Sequence, residues 1–226
     1  MWLLGVALFV ASATAQFRPP DFQACDGVRL NSVQASFNDV LGINPSLGVK
    51  TFDALRQAVE NIWASQGALG LQTVCSAFKL IKVGFDNIQG YEACFFGPAG
   101  LVSTANGTST GITMAQAIGY QKLMNQFDFA CGAGFSVFAN VDACAAGIFA
   151  TNSSRTRLNN CQSDFLNSVA NDPSDACSYA DIAATCYRNT FFPCGVTAAW
   201  WGCEYERMGT ATYYPQCTQN FCNFNP

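Results

Sequence analysis

The sequence predicts an all-α fold, a compact bundle of about seven to eight helices stapled by up to six disulfides. Three observations carry this. Apolar residues recur at intervals of three and four along most of the chain, the spacing that lays one apolar stripe along a helix. No stretch alternates over six residues, as a half-buried strand would. The cysteines are twelve in number, and an even set behind a secretory-type leader reads as a disulfide framework.

The leader comes first. Trp2 to Val10 is an uncharged apolar run, followed by Ala11-Ser12-Ala13-Thr14-Ala15-Gln16. Small residues at Ala13 and Ala15 satisfy the A-x-A cleavage rule, so residues 1–15 are expected to be a signal peptide cut after Ala15. The run is shorter than the ~20 apolar residues of a spanning helix. No Lys or Arg precedes it, so only the α-amino group supplies positive charge. Residues 16–226 are expected to form a single disulfide-rich helical domain, secreted and extracellular.

The helices follow in order. Val28, Val33, Phe37, Val40 and Leu41 share a face over 28–41, and Gly42 with Asn44-Pro45 breaks the pattern. Val49, Phe52, Leu55, Val59, Ile62 and Trp63 predict the clearest helix, over 49–66, closed by Gly67. Leu71, Val74, Phe78, Ile81, Phe85 and Ile88 continue the spacing over 70–89. The 97–110 stretch, with Gly97-Pro98-Ala99-Gly100 and a Ser/Thr/Gly-rich run, reads as the longest loop and the best internal boundary. Met114, Ala117, Ile118, Met124 and Phe127 give a helix over 112–130. Phe135, Phe138, Val141, Ala145 and Ile148 extend another to about residue 150. Leu158, Cys161, Phe165 and Val169 mark the next. Asp172-Pro173 offers an N-cap and a Pro at the first helical position. Pro193 opens a last helix through Trp200, Trp201 and Cys203 to Gly209, and the tail from Tyr213 is held by Cys217 and Cys222.

Composition narrows the chemistry. Net charge is −4, with 11 basic and 15 acidic residues, and no His. The basic residues are scattered, so there is no stripe to displace counterions from nucleic acid. No polybasic run addresses anionic lipid, and the end at Asn223-Phe224-Asn225-Pro226 has no apolar tail for a lipid anchor. Without His, Ser-His-Asp and Cys-His catalysis are unavailable in their usual form. Zinc binding wants C-x2-C pairs or nearby His, and neither exists. No cofactor, metal ligand or catalytic residue is therefore expected. Carboxylate chemistry remains open, with Glu60, Glu92, Glu204, Glu206 and the aspartates as the supply. Glu204 and Glu206 read as solvated helix charges.

The remaining sites are covalent or apolar. All of Cys25, Cys75, Cys94, Cys131, Cys144, Cys161, Cys177, Cys186, Cys194, Cys203, Cys217 and Cys222 are expected in bridges; spacing leaves the pairing open. Asn106-Gly107-Thr108 and Asn152-Ser153-Ser154 are N-glycosylation sequons, both read as lying in polar loops. Trp200, Trp201, Tyr205, Tyr213 and Tyr214 read as a core cluster over the C-terminal bridges, with a binding face as the alternative. Phe78, Phe85, Met114, Met124, Phe127 and Phe135 read as ordinary core, with a lipid cavity as the alternative.

The order Cys75, Cys94, Cys131, Cys144, Cys161, Cys177, Cys186, Cys194-Gly195 and Cys203 on predicted helices resembles the secreted cysteine-rich helical domains of nematodes, such as that of nematode chondroitin proteoglycans. The resemblance covers about two thirds of the chain after the leader and implies an extracellular helical domain. The chain has no Ser-Gly dipeptide, the usual chondroitin attachment. Insect odorant-binding proteins are similar in being secreted, helical and disulfide-rich, but their C-x3-C spacing is missing.

Three functions are open. A non-enzymatic extracellular interaction or structural protein, with a protein or matrix partner, predicts an exposed aromatic patch and no closed cavity. A carrier of a small apolar ligand such as a lipid predicts a closed cavity lined by Phe and Met. A carboxylate-based hydrolase predicts two carboxylates facing across a cleft. The sequence favours the first.

Overall fold

The computed structural model describes residues 23–104, 107–211, 214, 216, 217 and 222. Among them are ten α-helices and no strand: α1 Gly27–Leu41, α2 Phe52–Val83, α3 Ile88–Phe95, α4 Ala99–Val102, α5 Met114–Cys131, α6 Phe135–Asn140, α7 Asp142–Ala150, α8 Asn152–Asn171, α9 Ala176–Phe191 and α10 Val196–Ala211. Short 3-10 turns at Val49–Thr51, Pro173–Asp175 and Phe192–Cys194 lead into α2, α9 and α10. An isolated antiparallel bridge pairs Ser103 with Ser109. The all-helical, disulfide-stapled class read from the periodicity is the class observed.

The ends of α1 follow from its sequence. Asp26 accepts from the Val28 and Arg29 amides, and Gly42 closes the helix with φ 63°, a left-handed turn that costs Gly nothing. Leu30, Val33 and Phe37 form the buried stripe.

Within α2, Gly67 breaks the helix where the sequence places an end: it is non-helical, with φ 56° and ψ −131°, and two helical segments meet across the kink. The kink frees the Ala68 amide, and the Asp142 carboxylate accepts from it at 2.6 Å, as an N-cap side chain would. A Cβ on residue 67 would lie 2.0 Å from that oxygen, so the position admits only Gly. The expected 70–89 helix stops at Val83 instead. Asn87 then starts α3, its Oδ1 accepting from the Gly90 amide at 2.7 Å. The stretch after Gly132 divides at Val141 into α6 and α7. Asp172 caps the Pro173 turn by accepting from the Ser174 amide, as its sequence suggests.

Trp63 sits at the centre of the core. Phe127, Phe138, Phe149, Trp201 and Tyr205 surround its ring at 5.3–6.4 Å between centroids, edge-on or tilted as aromatic quadrupoles prefer. This core draws on residues from both sides of the 97–110 stretch. A smaller cluster of Phe165, Val169, Ala176, Ala180 and Ala183 lies between α8 and α9. All twelve cysteines are paired: Cys25–Cys94, Cys75–Cys131, Cys144–Cys194, Cys161–Cys186, Cys177–Cys217 and Cys203–Cys222.

Candidate functional site

A groove of about 790 Å³ opens between the start of α1, the 45–51 segment and a loop wall formed by Leu101 of α4 with Thr104, Thr110 and Ile112. Its apolar walls are aliphatic: Val28, Leu30, Leu47, Val49, Leu101 and Ile112. Buried Tyr120 from α5 forms part of its lining.

Each wall is fixed by bonds the sequence encodes. Cys25 anchors the α1 wall through its bridge to Cys94, and its amide donates to the Gly100 carbonyl at 2.8 Å. A relay of amides holds the 45–51 wall. The Tyr120 hydroxyl donates to Gln34 Oε1 at 2.7 Å, and Gln34 Nε2 donates to Asn38 Oδ1 at 2.8 Å. Asn38 Nδ2 then reaches the carbonyls of Asn44, Pro45 and Leu47. Burial pushes the Tyr120 hydroxyl well above the usual phenol range, so it stays a donor at any physiological pH. On the loop wall, Thr110 Oγ1 donates to the Leu101 carbonyl at 2.6 Å, and the Thr104 and Thr108 hydroxyls pair at 2.6 Å.

A second cleft, of about 500 Å³, lies at the corner of α2 and α3. Phe85, Ile88, Tyr91 and Phe96 line it beside Glu92 and the Lys82–Asp128 ion pair. Ile88 and Phe96 are 64 % and 53 % exposed. Burial, with Asp128 nearby, pushes the Tyr91 hydroxyl up to about 12.

The third feature is sealed. Lys122 on α5 and Glu206 on α10 are both fully buried and meet at 2.6 Å. Gln162 accepts from Lys122 at 2.5 Å, and Gln126 donates to Glu206 at 2.8 Å. Beneath the same core, Arg56 pairs with Glu60 at 2.7 Å and donates to Asn159 at 2.7 Å. Burial lowers the Lys122 ammonium against the pull of Glu206, and burial raises the Glu60 carboxyl against the pull of Arg56. Glu60 Oε1, Glu206 Oε1, Trp63 Nε1 and the Tyr187 and Tyr205 hydroxyls have no hydrogen-bond partner among the described residues.

The residues singled out by sequence scatter accordingly. Glu206 is not a solvated charge: α10 turns it inward to Lys122, and Glu204 is buried against Arg207. Trp201 and Tyr205 are core and stack at 4.9 Å; Trp200 and Tyr214 are half-buried, and Tyr213 lies outside the described residues. Phe78, Met124 and Phe127 are core, Phe85 lines the α3 cleft, Phe135 is half-buried and Met114 is exposed. Asn152 is exposed, but it opens α8 rather than lying in a loop, because the polar first turn of that helix carries no apolar signal. Asn106 and the expected signal peptide, 1–15, lie outside the described residues. Among the described residues no group of three His, Cys, Asp or Glu is placed to hold a metal, and no single helix is long and apolar enough to cross a membrane. The groove was missed because Leu30, Val49 and Leu101 look in sequence like any helix stripe. Its only readable hint was that Val28 and Ile112 flank breaks in the pattern.

No family model, no curated protein and no solved structure matches the chain.

Proposed function

We propose that the protein is a secreted, non-enzymatic extracellular binding protein and that the α1 groove is its binding site. One observation carries this reading. The groove combines ligand-sized volume and aliphatic walls with polar side chains most of which are already bonded to the protein. An apolar ligand entering it strands almost no polar group, so burial of its surface is not offset by broken hydrogen bonds. Of the open functions, this supports the small apolar ligand, in an open trough rather than a closed Phe/Met cavity. Six bridges and the A-x-A leader support the extracellular setting. Full burial and ion pairing of Glu60 and Glu206 favour binding over carboxylate hydrolysis. The exposed Ile88 and Phe96 at the α3 corner favour a second contact there, with a protein or matrix partner.

The test is amide chemical-shift mapping of the secreted protein titrated with decanol. Shifts confined to the amides of 27–34, 46–51 and 101–112 are expected. No saturable shift, or shifts centred on α3, would overturn the assignment of the groove.

A further inference from the structure

We infer that the groove takes an aliphatic chain ending in a single anionic head, a long-chain carboxylate, with Lys50 as the head-group contact; this rests on the binding reading above. The inference comes from accounting for every polar side chain in the lining. Asp26 caps α1 through the Val28 and Arg29 amides. Ser46 Oγ donates to Asn44 Oδ1, and Thr51 Oγ1 accepts from the Gly48 amide. Gln34, Tyr120, Thr104 and Thr110 are bonded as described. Two lining side chains remain without a protein partner among the described residues, the Asn31 amide and the Lys50 ammonium.

Lys50 is exposed on the 3-10 turn that leads into α2. It reaches across to the loop wall, where a Cβ on Gly111 would lie 3.5 Å from its Nζ. Its charge has no acidic partner among the described residues. Asp26, the other charged lining residue, is committed to a helix N-terminus, where amides and dipole compensate it. The groove therefore presents one uncompensated charge, positive, above aliphatic walls. A ligand matching both needs an alkyl chain and one negative group. The absence of an aromatic wall, apart from Tyr120, favours a flexible chain over a ring system. A cationic head would meet Lys50 with like charge, and a neutral head would gain no charge-assisted bond from it.

The experiment compares decanoate, decanol and decyltrimethylammonium near neutral pH, below their aggregation limits, by calorimetry on the full secreted chain. Decanoate is expected to bind most tightly. Lys50→Gln is expected to weaken decanoate about tenfold, the scale of one charge-assisted hydrogen bond, and to leave decanol unchanged. Lys79→Gln, an exposed lysine on α2 outside the groove, should change neither. Equal affinity for decanoate and decanol, or a Lys50→Gln variant that holds decanoate as well as the parent, overturns the head-group assignment and leaves the groove standing. Failure of all three probes to bind overturns both. Glu substituted at the same position (Lys50→Glu) should weaken decanoate further and improve the cationic probe; if it does neither, the charge argument is wrong.

Discussion

Between Cys25 and Cys131 the chain carries two bridges, whereas between Cys144 and Cys222 it carries four, and none crosses from one stretch to the other. The groove lies wholly on the first stretch. Its two bridges span 69 and 56 residues, while those of the second span 19 to 50. The 97–110 loop, which reads in sequence as the natural boundary, is spanned by Cys75–Cys131; the covalent gap falls at 132–143 instead. What joins the halves is packing. Trp63 of the first stretch sits among Phe138, Phe149, Trp201 and Tyr205 of the second, and Lys122 reaches across to Glu206. The comparison teaches that the half with the groove and the heavily stapled half share their stability through one noncovalent joint.

Cutting that joint should have the largest effect. Lys122→Met leaves the Glu206 charge buried with only Gln126 to bond it, and is expected to lose about 3–5 kcal/mol. Urea denaturation would measure it. Adding Glu206→Leu should recover most of the loss, and a double variant no better than the single would show that the pair is not what holds the halves. The bridges come next. Replacing Cys25 and Cys94 by Ala is expected to cost about 1 kcal/mol more than replacing Cys203 and Cys222, because the longer loop regains more entropy when opened. Thermal melts of the two variants would show the ranking. The last effect, absent at neutral pH, is an alkaline slope. Burial raises the hydroxyls of Tyr120, Tyr187 and Tyr205 above their usual range. The unfolded chain loses those protons near pH ~10 while the folded chain holds them, so stability is intact below that pH and falls as pH rises above it. Each tyrosine contributes about 1.4 kcal/mol per pH unit. Tyr187→Phe should reduce the slope by that amount in denaturation curves at stepped pH; an unchanged slope would place its titration elsewhere.

Periodicity made most helices readable, because Leu55, Val59 and Trp63 or Leu158, Cys161, Phe165 and Val169 each lie on one buried stripe. Local punctuation was less reliable. Gly67 carries the signature of a helix end, yet its meaning depends on Asp142, 74 residues away. That the twelve cysteines pair was legible, but which pairs with which was not, since it depends on which helices touch. The buried ion pair was hidden for the same reason. Lys122 and Glu206 look like ordinary surface residues until α5 and α10 face each other. The groove was least visible of all, because it is made from three separate segments whose aliphatic residues carry no chemical label.

The placement of the tryptophans has an optical consequence. Trp63, Trp200 and Trp201 are those among the described residues, and none lines the groove. Trp63 and Trp201 stand 6.4 Å apart, with Tyr205 against both, close enough to pool their excitation. Intrinsic emission would therefore follow separation of the two halves and be nearly blind to events at the groove, where Tyr120 is the only aromatic side chain in the lining among the described residues.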